Sequence, residues 1–263
     1  VAAAKRLIVN ADDFGFTHDV NAGIVEAHRA GILTATTLMA NGAAFDGAVR
    51  LAGENPELDV GCHLVLVQGN SVLAPASPLP ATLAELVRAI ALGRIRIYDE
   101  LAAQVRRLLD RGILPTHLDT HKHTHLLPPV LDAVARISGE FRIPWVRRPF
   151  DFGATGLVGR FLRVSGGRFR TVLARHDCRM TDHFVGFRMT GRFGTPELVA
   201  LIRRLPPGTT EFMCHPGRCG AELRAARTRL KQSRETELRA LTAPDTRRAL
   251  DEAGVQLVNY REL

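Results

Sequence analysis

Three observations predict an α/β chain folded as a (β/α) barrel of seven or eight strands, a distorted TIM-like closure. Short apolar runs alternate with helical patterns along all 263 residues, an order that implies a parallel sheet covered by helices. Seven or eight such runs over this length suit a closed or partly closed barrel. No Gly-x-Gly-x-x-Gly follows the first run, which weakens the runner-up, an open doubly wound sheet that binds a dinucleotide. Residues 1–263 read as a single barrel domain with a basic insertion at about 151–181.

Arg6–Asp12 is a buried strand around Leu-Ile-Val, and Asp19–Ala30 is a helix stopped by Gly31. Thr34–Ala40 is a Thr-rich strand; Phe45–Gly53 is a helix closed by Asn55-Pro56. Asp59–Val67 is a strand, and residues 68–80, with Gly and three prolines, form a loop. Leu83–Leu92 and Tyr98–Leu109 have helical spacing, Pro115–His121 is a strand and Pro129–Ile137 a helix. Ile143–Arg147 and Asp182–Phe187 are short strands, followed by helix Pro196–Leu205 and strand Thr209–Cys214. Helices over Arg234–Leu241 and Asp245–Ala253 and a last strand, Val255–Tyr260, complete the pattern.

The composition, 46% hydrophobic and 24% charged, excludes disordered, collagen-like and disulfide-scaffold chains. No apolar run reaches the ~20 residues of a membrane span. The opening Val1-Ala-Ala-Ala-Lys5-Arg6 is too short and polar for a signal peptide, so the cytoplasm is the expected location. Cys62, Cys178, Cys214 and Cys219 have no CxxC pairing, which suits a reducing compartment. The net charge of +8 is concentrated: between Arg142 and Arg192 stand eleven Arg against three Asp. One basic segment on a neutral domain argues against a nucleic-acid binder. Within it, Gly156–Val164 and Gly167–Arg175 mix Arg with Phe, Leu and Val; in a helix, Leu157, Phe161 and Val164 share one side. Such an element can lie on anionic lipid, or be an ordinary solvated insertion.

Active sites of parallel α/β folds lie at the C-terminal ends of the strands, and metal-competent residues recur there. The first strand ends in Asn10-Ala-Asp12-Asp13-Phe14-Gly15, the third carries Cys62-His63-Leu64, and a late one ends in Cys214-His215-Pro216. The fourth runs into His117, Asp119, His121, His123 and His125 at every second position. Extended, these five would span roughly 26 Å, so only one or two can share a metal and the others support it or touch substrate. Adjacent Asp12 and Asp13 reach one site only where the strand ends, and Gly15 offers the turn. One of the two can bind a metal while the other accepts a proton. An Asp with two His leaves positions open for water and substrate, and His215 can supply an acid.

Together these segments resemble the YdjC-like carbohydrate deacetylases, the ChbG/HpnK family. The resemblance rests on Leu7–Gly15, Gly31–Thr37, Gly61-Cys-His-Leu64, Pro115–His121 and Phe212-Met-Cys-His-Pro216, in that order along the chain. His63–Gly69 and Trp145–Asp151 look more like the hopanoid-associated HpnK branch than the chitooligosaccharide branch. The resemblance implies a metal-dependent N-deacetylase on a (β/α) barrel, with Zn2+ or Mg2+ on Asp13, His63 and His121. It further implies Asp12 as base and Arg147 orienting Asp12; His215, read from its own strand end, is the candidate acid. His117, Asp119, His123 and His125 would support the site or touch substrate. Lys122, in a strand, would point away from His121. The implied substrate is an N-acetylated amino sugar: a glycosylated hopanoid at the inner membrane or, alternatively, a chitooligosaccharide. A different barrel metal hydrolase and a non-catalytic anionic-surface module are the rival readings.

Overall fold

In the computed structural model, residues 4–152 and 166–263 are described. The chain runs β1 (Lys5–Phe14), α1 (His18–Ala30), β2 (Ala35–Leu38), α2 (Phe45–Gly53), β3 (Asp59–Leu64), α3 (Leu83–Ala91) and α4 (Ile97–Leu109). It continues with β4 (His117–Thr120), α5 (Pro128–Phe141), β5 (Trp145–Val146), a helix α6 over 166–174, and β6 (His183–Val185). The last third comprises α7 (Thr195–Arg203), β7 (Gly208–Cys214), α8 (Ala221–Ala225), α9 (Gln232–Thr242), α10 (Pro244–Glu252) and β8 (Val255–Leu257).

All strand pairings among the described residues are parallel, in the order β5-β4-β3-β2-β1-β7-β6. Isolated bridges, Trp145 to Arg179 and Asp151 to Phe184, connect the two ends. The sheet therefore curls into a distorted barrel with a weak seam, as the alternation predicts, rather than lying open. The count of seven or eight has a structural reason. β8 pairs with β1 only over Lys5–Leu7, whereas β2 takes up β1 from Asn10 onward. Seven strands thus frame the mouth, and the eighth closes only the floor.

Period-two alternation divides the strands between two environments. Leu7, Val9 and Ala11 of β1, Cys62 and Leu64 of β3, and Phe212 and Cys214 of β7 join one apolar cluster with the covering helices. α1 contributes Val20 and Ile24 to it, and its N-terminus is capped by Thr17, which accepts from the Val20 amide at 3.2 Å. Burying side chains of this size contributes roughly 1.5–3 kcal/mol each. Gly31 does end α1, but not by a left-handed turn: a Cβ there would meet the Leu241 carbonyl oxygen at 2.5 Å, so close packing demands glycine.

The expected strand at Pro115–His121 is shorter, because Lys122 and His123 turn the chain with φ of 54° and 51°. The last strand likewise stops at Leu257, before a 3-10 turn over Tyr260–Glu262 capped by Asn259. α8 carries no periodic signal long enough to predict. Of the basic segment, the described half is α6, whose Phe169, Val172 and Leu173 are spent on the barrel's own core. Leu157, Phe161 and Val164, the apolar side of the other half, lie outside the described residues. No helix among the described residues is long and apolar enough to cross a membrane.

Candidate metal centre and active site

β1 delivers two neighbouring carboxylates to the mouth through a local irregularity. Its register with β2 shifts between Ala11 and Phe14, and Asp13 sits in the left-handed region at φ 70°. Asp tolerates that conformation better than most residues, though at a cost of about 1 kcal/mol or more. Gly15, at φ 93°, completes the turn, and its amide donates to Asn21 Oδ1 at 2.6 Å. Strain at Asp13 is what lets both carboxylates reach one site.

Asp13, His63 and His121 come together there. Asp13 Oδ1 lies 3.4 Å from His63 Nε2 and 3.3 Å from His121 Nδ1, and the two nitrogens are 3.2 Å apart. Ligands on a tetrahedral ion at ~2.0–2.1 Å stand roughly 3.3–3.4 Å from one another, so the triangle fits a small divalent ion. Asp13 Oδ1 is buried and has no hydrogen-bond partner among the described residues. His63 is oriented from behind: its Nδ1 meets Asp119 Oδ1 at 2.7 Å, and Thr37 Oγ1 at 3.1 Å, which leaves Nε2 facing the triangle. Burial alone would lower the His63 pKa, but Asp119, Asp12 and Asp13 surround it and push it up to about 9. That negative charge favours a positive charge at this position, which the protonated imidazole supplies by itself and a bound ion would replace.

A second triad, Asp12, His63 and Asp119, is also close enough for an ion. Its oxygens, however, are already committed. Arg147 Nη2 and Nη1 donate to Asp12 Oδ1 and Oδ2, both at 2.7 Å; Nη1 also lies 2.6 Å from Asp119 Oδ2, and Nε donates to Glu211 Oε1 at 2.7 Å. Burial would raise the Asp12 pKa, but this guanidinium overrides it and holds the carboxyl well below the usual range. Glu211, fully buried, is raised by burial.

His215, at the end of β7, places Nε2 3.9 Å from Asp12 Oδ2. Burial lowers its pKa to about 4 despite Asp12 and Asp13, so its resting form is the neutral imidazole. Asp12, Asp13, His63, His121 and His215 line a cavity of ≈ 1690 Å³. Arg188 and Arg192 of the basic window line it too, joined by Arg204, Arg227 and Arg229 from beyond that window. None of these five guanidinium groups makes an ion pair among the described residues, although the Arg188 amide donates to Asp151 Oδ2 at 2.9 Å. Part of the excess charge therefore faces the cavity. It also reaches the lumen, since Arg147 belongs to the same window.

Residues 6–252 match the family model described as YdjC-like protein. The chain belongs to the YdjC-like family. It is 38% identical to a carbohydrate deacetylase of Geobacillus stearothermophilus, with 98% of each chain covered. It is 33% identical to a chitooligosaccharide deacetylase of Klebsiella pneumoniae (strain 342), covering 98% of this chain and 99% of that one. A crystal structure from Enterococcus faecalis V583 shares the fold, with a TM-score of 0.80 at 24% identity and 99% of both chains covered.

In this YdjC-like chain the histidine run does not stay extended. His117 points into the barrel floor, stacked 3.9 Å from the Tyr260 ring, with Nε2 2.9 Å from Asn10 Oδ1. Its ring occupies the space above Gly61, where a Cβ would come within 2.6 Å of it. Asp119 stands between His63 and Arg147. His125 is folded back, Nδ1 2.5 Å from Thr120 Oγ1 and Nε2 3.2 Å from the Arg147 carbonyl oxygen, so it braces β5. His123 lines the cavity beside Phe187, with ring centroids 5.0 Å apart. Lys122 does not point away from the site as a strand residue would: it lines the same cavity, and burial lowers its pKa against the pull of Asp13.

Besides Glu211, the partner of Arg147, two residues escaped the sequence reading. Arg234 Nη2 donates to Asp13 Oδ2 at 2.5 Å, and Glu237 accepts from the amides of His215 and Gly191 at 2.5 and 2.8 Å. Burial pushes Glu237 up to about 7. Both lie on the buried face of α9 with Leu238 and Leu241. Charged residues in register with a helix's leucines were the available signal.

Proposed function

We propose that this chain is a divalent-metal-dependent N-deacetylase acting on an N-acetylglucosamine-type sugar. The observation that carries this reading is the Asp13–His63–His121 triangle beside Asp12 and His215, at the wall of an open cavity, in a chain related to proteins named carbohydrate deacetylases. Two imidazoles and one carboxylate suit Zn2+ better than Mg2+, which prefers oxygen ligands. Such an ion, when bound, supplies an electrophile for the acetyl carbonyl oxygen and lowers the pKa of water.

The remaining steps belong to the side chains. Asp12 is ionised throughout the working pH range and takes the proton of the attacking water. Arg147 fixes its orientation and offsets its charge. The amine leaves with a proton from His215. Because His215 rests neutral, it receives that proton during turnover, from the side of Asp12 3.9 Å away. The products are acetate and a free amino sugar. Asp119, bonded to His63 Nδ1, would keep Nε2 aimed at such an ion, and His123, which lines the cavity, would touch substrate.

For the substrate we favour N-acetylglucosaminyl bacteriohopanetetrol, on the HpnK-like segments His63–Gly69 and Trp145–Asp151. Gln68 and Asp151 of those segments line the cavity. A lipid-linked sugar would bring the arginine-lined mouth and the half-exposed Phe187 against the inner membrane. The Klebsiella relative favours a second reading, a chitooligosaccharide. Mass spectrometry of both substrates, with zinc and after chelation, tests these readings. The expected result is a zinc-dependent loss of one acetyl group, faster on the glycolipid. Faster loss from diacetylchitobiose selects the second reading, and no loss from either refutes both. Flotation with anionic liposomes tests the membrane contact separately.

A further inference from the structure

Asp12 and Asp13 each have an arginine of their own, but the two pairs differ in construction. Arg147 takes both oxygens of Asp12. Arg234 takes only Oδ2 of Asp13, at 2.5 Å, and leaves Oδ1 without a hydrogen-bond partner among the described residues. That free oxygen is the one 3.4 Å from His63 Nε2 and 3.3 Å from His121 Nδ1. Arg234 cannot easily swing aside. It is 1% exposed, its Nε donates to the Leu230 carbonyl at 3.3 Å, and Gly217 packs on its stem, where a Cβ would stand 3.2 Å from Cδ.

We propose that Arg234 is a positioning residue of the cation site: it occupies one oxygen of Asp13, so that the carboxylate offers the ion a single oxygen. The inference rests on the metal-site reading above. A guanidinium beside a carboxylate stabilises its charge without any ion, so Arg234 competes with the ion for Asp13 and lowers its affinity. A carboxylate bound through one oxygen leaves coordination positions for water and substrate that a two-oxygen ligand would fill. Arg234 therefore trades affinity for open positions, and its removal acts on binding and turnover in opposite directions.

The test is zinc titration against a chromogenic chelator, with full-length parent, R234Q and R234K, alongside turnover of whichever N-acetylated sugar the parent hydrolyses. R234Q is expected to bind zinc at least about tenfold more tightly, since it removes a positive charge that lies 2.5 Å from the ligand carboxylate and repels the ion. Its kcat falls while KM changes little. R234K keeps the charge without the fork and falls between parent and R234Q in both quantities. Zinc binding by R234Q equal to or weaker than the parent's overturns the proposal, because a merely structural arginine would lower affinity and activity together. Should R234Q not fold, R234K decides by the same criterion. A parent protein that binds no zinc refutes the metal-site reading and this inference with it, and the parent titration tells that failure from the other.

Discussion

On the outer face of the sheet, Leu7, Val9 and Ala11 of β1 and Phe212 and Cys214 of β7 pack against helices. On the inner face of the same two strands stand Asn10, Asp12 and Glu211, joined by His63, Asp119 and Arg147 from their neighbours. Both faces are buried, so burial alone does not separate them. They differ in what compensates it. The outer face gains from leaving water and tolerates any well-shaped apolar replacement. The inner face gives up hydration of several charges and recovers it only through complete pairing. The outer face fixes the barrel, and the proposed mechanism asks the inner face to hold two adjacent carboxylates in different roles.

The largest effect should follow from breaking the inner face at its hub. Arg147→Met leaves Asp12, Asp119 and Glu211 uncompensated, with an expected destabilisation of about 3–5 kcal/mol or more in urea unfolding, and no detectable turnover. A loss under 1 kcal/mol would show that the lumen is better hydrated than its burial suggests. On the outer face, Ile24→Ala should cost about 2–5 kcal/mol by the same measurement. It should leave zinc affinity and kcat unchanged at temperatures where the variant is folded. Changed chemistry in that variant would mean that the two faces are not separable.

The pH dependence of zinc binding sharpens the comparison further. His63 is held near 9 by the surrounding carboxylates, so below that pH an incoming ion must displace its proton. Zinc affinity should therefore rise about tenfold per pH unit from 6 to 8. A flat profile would contradict the charge balance assigned to the lumen. The smallest effect is expected at the arginines that line the cavity without touching the Asp and His cluster. Arg188→Ala with Arg192→Ala should leave zinc affinity alone and change KM by a few-fold, read from initial rates.

The outer face was the legible half of the sequence. Alternating apolar residues mark β1, β3 and β7 within a few positions, because hydrophobic burial is a property of single residues at fixed period. The candidate site was legible where chemistry lies at strand ends, as with Asp12, Asp13, His63 and His215. The histidine run was not, because period-two reasoning keeps it extended while Lys122 and His123 adopt left-handed conformations that no glycine announces. Arg234 was hidden for another reason. Its partner is Asp13, 221 positions away, and a charged residue in a polar stretch looks solvated until the fold buries it.

The central claim is that neighbouring carboxylates divide the work, Asp13 holding the ion and Asp12 moving the proton. Zinc stoichiometry and affinity of Asp12→Asn and Asp13→Asn, measured side by side by calorimetric titration, test it most directly. The account predicts one zinc per chain in the parent and in Asp12→Asn, with turnover lost in the latter, and zinc affinity reduced at least about a hundredfold in Asp13→Asn, beyond the cost of losing a supporting partner. Retained zinc in Asp13→Asn, with loss in Asp12→Asn, would contradict it.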